Sequence, residues 1–374
     1  MIAPVATHSP TYVPLPSPRP AAAPRARSLP ARIEGLDGLR GIAVLAVLAV
    51  HSGVLPIGWM GVDLFFALSG FLITGIVLDA KASGAAPGAI YRPFYARRAL
   101  RILPLAYATM LVLFVAFGTP GRLQWPYWLY VSNLHRGPSV GALLDLRHFW
   151  SLAVEEQFYL VWPAVVLALT APRLRRMCLA LAVTSLVLRC GLAASPLHAT
   201  INVGAVTFTR LEALVGGAYI ASIAREPGGL ATHSRLIGRA LMLGAAAILL
   251  VMLAQRSASD SGWAMLTVGL SAVGVTMAAI VASIIAHPGS AVTRVLSARW
   301  LAWLGTVSYG LYVLHAPVSI WLQAHVAHAV VRFALLLVVS VVLAAASWYG
   351  FERPILALKR RWPMPSANSR IRPA

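Results

Sequence analysis

Ten mostly apolar stretches recur along the chain, at roughly 39–53, 61–79, 102–118, 148–169, 177–194, 206–224, 240–255, 263–286, 303–324 and 329–350. Each comes near the roughly 20 residues that carry an α-helix across a bilayer. A soluble domain holds about 25% charged residues. This chain holds 11%, with a mean hydropathy of +0.76. The expected fold class is therefore all-α, a polytopic membrane protein with about ten transmembrane helices. Collagen, coiled coil and outer-membrane barrel are excluded.

The remaining charges are lopsided, 31 Lys and Arg against 11 Asp and Glu. In a soluble chain this would suggest nucleic acid; between membrane helices it marks cytoplasmic loops, and no nucleic-acid partner is expected. With the N-terminus inside, the cytoplasmic segments hold 5, 5, 3, 3, 2 and 6 basic residues, 24 in all. The outer segments hold only Arg122, Arg136, Arg147 and Arg256, while Arg189, Arg210 and Arg332 fall at or inside span ends. Both termini are thus expected in the cytoplasm. Residues 1–34, with eight prolines by residue 30 and no secretory apolar run, read as a disordered cytoplasmic tail. Residues 35–355 read as the membrane domain and 356–374 as a basic cytoplasmic tail, with no second domain expected after the last span. Cys178 and Cys190 read as core packing, and no internal repeat is evident.

Ionisable groups at membrane depth are costly, so each calls for a partner or a function. Arg40 and His51 are eleven residues apart, about 1100° of helix and within about 20° of three turns, so they share a face about 16 Å apart along the axis. A shared face lining a cavity is the preferred reading over a snorkelling Arg and an interfacial His. Asp63 enters the second span, placed either to cap its N-terminus or to act in catalysis. Ser69 and Gly70 suit close helix packing. Arg97, Arg98 and Arg101 form one basic cluster, suited to phosphate oxygens or simply to the inner boundary. In His148–Tyr159 the adjacent Glu155 and Glu156 diverge by about 100°, so at least one should face a polar cavity. His148 shares a face with Glu155, while pairing of a carboxylate with Arg189 or Arg210 is the structural alternative. Arg210 and Glu212 head a later span, and Ser308, Tyr309 and Tyr312 lie in another beside His315, which reads as a packing histidine. The histidines are too scattered for a zinc site, so no metal is expected. There is no GxxxxGK phosphate loop and no GxSxG elbow.

As a set, LDGLRGIAVLAVLAVH (36–51), GVDLFFALSGFLIT (61–74), FYARRALRILPLAY (94–107), HFWSLAVEEQFYLVWP (148–163), WLGTVSYGLYVLHAPV (303–318) and FERP (351–354) resemble the integral-membrane acyltransferase type 3 family, bacterial O-acetyltransferases of surface polysaccharides and related molecules. The match runs in order from about 34 to 355. The resemblance implies a ten-helix enzyme of the bacterial cytoplasmic (inner) membrane. It would move an acyl group, usually acetyl from cytoplasmic acetyl-CoA, to a hydroxyl of a carbohydrate or glycosylated acceptor, with no bound cofactor. By position, Arg40 and His51 match the family's arginine–histidine pair, Arg98 and Arg101 its RxxR pair, and Glu156 its EEQFY segment. The chain departs from some members in lacking a C-terminal hydrolase-like domain. The expected catalytic residues are His51, Glu156 and Asp63; the expected donor-binding residues are Arg40, Arg98 and Arg101. Physical chemistry agrees that a phosphorylated donor needs cations and that a hydroxyl nucleophile needs a base such as His. Whether His51 is general base or is itself acylated stays open, with general base preferred. The competing classes are a secondary transporter or flippase of lipid-linked sugars, and a non-catalytic membrane partner.

Overall fold

The computed structural model describes residues 33–134 and 146–365. Among them the regular elements are helices: α1 (Glu34–Ser52), α2 (Met60–Ala82), α3 (Pro87–Ala116), α4 (Gly121–Trp128), α5 (Phe149–Ala168), α6 (Ala171–Ala194), α7 (Leu211–Ile223), α8 (Ser234–Gln255), α9 (Leu270–Ala286), α10 (Ala291–Leu296), α11 (Arg299–His325), α12 (Ala329–Ser347) and α13 (Arg353–Ala357), with short 3-10 and π turns between them. Nearly all of the expected N-terminal tail, the end of the basic C-terminal tail, and Arg136 lie outside the described residues.

Each expected apolar stretch falls on a helix, but the ten are not alike. Seven helical stretches are long and apolar enough to cross a membrane: Gly35–Ser52, Pro56–Ala82, Pro87–Ala116, Ala171–Ala194, Gly229–Gln255, Met265–Ala286 and Ala329–Arg361. The expected count of about ten is met by these seven only, and the other three expected spans correspond to α5, α7 and α11. The reason is physical. α5 and α11 are diluted by polar side chains such as Glu155, Glu156, Ser308 and His315. α7 has 13 residues, about 20 Å of helix against a hydrocarbon core of about 30 Å. α3 also differs, beginning at Pro87 rather than near 102. A proline at the first helical positions starts it, and its arginines sit on the helix rather than at a loop mouth.

The helices nearest the bundle axis are joined by backbone contact. Where α2 packs along α7, a Cβ built on Gly70 would fall 1.8 Å from the Leu214 carbonyl oxygen, and one on Gly217 would fall 2.0 Å from that of Ala67. Small residues bring helices together where the apolar solvent supplies no hydrophobic drive between them. Gly70 thus packs as expected. Ser69 does not; it donates a hydrogen bond to Glu155. On the periphery, Leu179 and Val183 of α6, Met242 and Leu243 of α8, and Val338 and Val342 of α12 are each more than half exposed. Apolar surface on this scale belongs in lipid, and the chain is a multi-pass membrane protein. Cys178 is buried on α6 and Cys190 half-buried, both free thiols.

Two arginines inside the bundle have carboxylate partners. Arg189, fully buried, pairs with Glu212 at 2.6 Å and also donates to the Thr209 and Thr267 carbonyl oxygens. Arg210 pairs with Asp63 at 3.0 Å. Neither arginine serves Glu155 or Glu156, so the structural pairing considered for those carboxylates is not the one formed.

Candidate active site

Three helices carry a polar stripe lengthwise: Arg40 and His51 on α1; His148, at its N-cap, Ser151 and Glu155 on α5; Ser308, Tyr309, Tyr312, His315 and Ser319 on α11. Within each helix the separations are steps of three, four or seven residues, or combine such steps, except that Ser308 and Tyr309 are adjacent, so most of the side chains gather toward one side of the helix. Facing one another, the stripes enclose two chambers.

The first, about 110 Å³, is lined by Arg40, Arg98, Arg101, Ser69, Glu155 and Tyr159 among others. Arg40 lies 3.9 Å from Asp37. Arg101 is more heavily engaged: Glu352 at 3.4 Å, the Thr306 carbonyl oxygen at 3.3 Å, and the rings of Tyr309 and Trp348. Glu352 reaches it from a π-helical turn, Trp348–Glu352, that interrupts the end of α12. Arg98 stands over the Tyr159 ring at 5.1 Å and forms no ion pair among the described residues. Three guanidinium groups thus face one lining carboxylate, Glu155, whose oxygen accepts from Ser69 at 2.5 Å. A cavity so charged suits a polyanion.

The second is a cleft of about 560 Å³ lined by His51, His148, Trp59, Trp150, Arg210 and Asp260 among others. Val62 and Tyr312 line both chambers. The Tyr312 hydroxyl donates to the His148 carbonyl oxygen at 2.9 Å and lies 2.5 Å from Ser151 Oγ. It is the partition.

His51 stands in the last turn of α1, which ends at Gly53 in the left-handed region, φ 83°, with its N–H returned to Ala49 and Val50. The His51 carbonyl oxygen is taken by Ser319 at 3.1 Å and Gln323 at 2.7 Å, which ties the helix end to α11. Its ring Nδ1 lies 2.8 Å from the Val47 carbonyl oxygen. A carbonyl only accepts, so this contact assigns the proton to Nδ1 and leaves a lone pair on Nε2. The His315 ring meets it edge-on, centroids 4.8 Å apart, and His148 meets His315 at 5.2 Å. Among the described residues no group of three or more His, Cys, Asp or Glu side chains is placed to hold a metal ion.

Of the expected site residues, Arg40, Arg98 and Arg101 meet in one chamber and His51 stands in the next. Asp63 and Glu156 line neither. Asp63 does not cap α2, whose N-cap is Trp59 with no side-chain cap bond; it is 3% exposed and holds Arg210. The buried guanidinium outcompetes the helix terminus for its charge. Glu156 keeps one buried oxygen without a hydrogen-bond partner, and its neighbour Glu155 occupies the chamber. Tyr312, His315 and Glu352 were not singled out for the site by sequence reasoning, although FERP marked Glu352.

The model of a family described as an acyltransferase domain matches residues 33–349. The chain is 31% identical over 324 residues to "Putative peptidoglycan O-acetyltransferase YrhL" of Bacillus subtilis, covering 80% of this chain and 50% of that protein. It is 28% identical over 291 residues to peptidoglycan O-acetyltransferase OatA of Listeria monocytogenes, covering 70% and 45%. To O-acetyltransferase OatA of Staphylococcus aureus it is 27% identical over 321 residues, covering 80% and 52%. It therefore spans about half the length of these curated relatives. No solved structure matches. With six motifs in order, two chambers built from them, and a family model covering nearly all the described helices, the chain belongs to the integral-membrane acyltransferase type 3 family.

Proposed function

We propose that the protein is a membrane O-acyltransferase that moves an acyl group, acetyl by preference, from acyl-CoA to a hydroxyl of a carbohydrate acceptor. The observation that carries this reading is the junction of two unlike chambers at Tyr312, one lined by three arginines and the other by His51. The arginine chamber receives the phosphates of the donor, and the acyl-pantetheine arm reaches toward Tyr312. In the cleft, His51 Nε2 removes the acceptor's hydroxyl proton as the oxygen attacks the thioester carbonyl. The C–S bond then breaks, and the proton passes from the imidazole to the departing thiolate. The Val47 carbonyl holds the ring in the required tautomer. His51 acts as general base rather than acyl carrier. The relatives' names place peptidoglycan among the acceptors to try first.

By the charge bias of the loops, the arginine end faces the cytoplasm, with both termini on that side of the bacterial inner membrane. Reporter fusions at 82–92 should read cytoplasmic and fusions at 120–145 extracytoplasmic; the reverse pattern would put the arginines on the side without CoA. Incubating purified protein with acetyl-labelled acetyl-CoA and glycan tests the whole reading. Label should become covalently attached to glycan with wild type and not with His51→Ala. The second reading, a transporter, is favoured by the two chambers lying in series through the bundle; it is sustained if glycan crosses proteoliposome membranes without acquiring label.

A further inference from the structure

Resting on the acyl-transfer reading, we infer that the cleft beyond His51, floored by Arg210 and walled by Trp150, Trp59 and the Asp260 loop, is the acceptor site and takes an uncharged sugar ring. The His51 cleft runs into a neighbouring cavity of about 520 Å³, and Trp150, Asn202, Arg210 and Asp260 line both. The floor is built rather than incidental. Arg210 is 5% exposed, its Nη2 is held by Asp63 at 3.0 Å, its guanidinium lies 5.2 Å from the Trp150 ring centroid, and its buried Nε has no hydrogen-bond partner among the described residues. A guanidinium so fixed offers a donor to a hydroxyl oxygen.

The rim is held too. The Trp59 indole donates to the Ala258 carbonyl oxygen at 2.9 Å. That bond anchors the loop carrying Asp260 to the start of α2. Gln255 donates to Ser257 and Ser259 within the same loop.

Charge selects among polar ligands. Arg210 is cancelled by Asp63, and of the other ionised side chains lining the cleft Arg147 and Asp260 are of opposite sign. An anion would meet Asp260 without a net positive field to hold it. A pyranose presents a C–H face to an indole and its hydroxyls to planar amide, carboxylate and guanidinium groups, which is what Trp150, Asn202, Asp260 and Arg210 supply.

The test is donor-free binding to the purified full chain in lipid nanodiscs, read by tryptophan fluorescence and calorimetry. The probes are an uncharged β-1,4-linked N-acetylglucosamine hexasaccharide and a hexagalacturonate of similar length. Wild type should bind the first and prefer it to the second. Trp150→Phe and the exposed-site variants Asp260→Ala and Asn202→Ala should each weaken it by about tenfold, with coenzyme A binding unchanged as the measure of intact fold. Unaltered affinity in all three variants, preference for the polyanion, or no binding by wild type overturns the inference. Binding that maps to the cleft in a protein that never transfers acetyl would instead sink the acyl-transfer reading and leave the sugar site standing.

Discussion

The arginine chamber and the histidine cleft share two lining residues, Val62 and Tyr312, yet treat charge in opposite ways. In the first, three arginines gather with one lining carboxylate, Glu155; Asp37 stands beside Arg40 and Glu352 beside Arg101, and Arg98 forms no ion pair among the described residues. In the second, the buried arginine is neutralised by a carboxylate one helix away. Half-buried cations gathered together repel one another, and under the proposed function Arg98, without an ion-pair partner among the described residues, is the one that a polyanionic ligand completes. Under the proposed function, one end holds a ligand by charge and the other moves a proton.

The strongest way to break that division is at His51. His51→Gln keeps polarity and approximate volume but no titrating nitrogen, so turnover in folded protein should fall by about two to four orders of magnitude while coenzyme A binding persists. Near-wild-type transfer would remove His51 from the chemistry. Next comes Arg98, the chamber's least engaged cation. Arg98→Ala should weaken use of acetyl-CoA by roughly ten- to a hundredfold, from about 1.5–3 kcal/mol of lost charge-assisted contact. Acetyl-pantetheine, which carries no phosphate, should be indifferent to the change, and Arg98→Lys should recover only part of the loss. Equal effects on both donors would make the arginines a topology signal.

Tyr312→Phe sharpens the comparison at the partition. Losing its hydroxyl contacts, about 0.5–1.5 kcal/mol each, should lower transfer by several-fold and raise hydrolysis of acetyl-CoA without acceptor, measured as free thiol. A fall in transfer with no added hydrolysis would mean that the ring, not the anchored hydroxyl, separates the chambers. The smallest effect is expected at Glu156, which lines neither chamber: Glu156→Gln should stay within about threefold of wild type in kcat, and Glu155→Gln should cost more. The reverse order would return the catalytic role to Glu156.

Helical periodicity was enough to give Arg40 and His51, and His148 and Glu155, a common helix side, because a helix repeats its faces at fixed steps whatever surrounds it, but the expected single cavity is divided: Arg40 and Glu155 line one chamber, His51 and His148 the other. It could not choose between Glu155 and Glu156, since period gives the angle between two side chains but not which of them turns toward the bundle axis. Partners distant in sequence were beyond its reach. Asp63 meets Arg210 across 147 residues, and Arg101 meets Glu352 across 251; these contacts exist only once α2 lies against α7 and α3 against the end of α12. His315, read as packing, does pack, but against the imidazole on which the chemistry is proposed to turn.

The shortness of α7 bears on how far a sugar must travel. Its 13 residues begin at Leu211, level with the Asp63–Arg210 pair, and the chain before it, from Pro196 to Thr209, is made of short 3-10 turns and irregular backbone. Carbonyl groups left unpaired by that unwinding are met from inside the protein, that of Thr209 by the buried Arg189 and that of Ala205 by Asn133, so the bilayer need not tolerate them. A helix of this length spans roughly 20 Å against a hydrocarbon core of about 30 Å. Under the proposed function, a hydrophilic chain approaching His51 would descend through a notch in the hydrocarbon layer, with the thioester brought up to meet it instead of the glycan being drawn across the membrane.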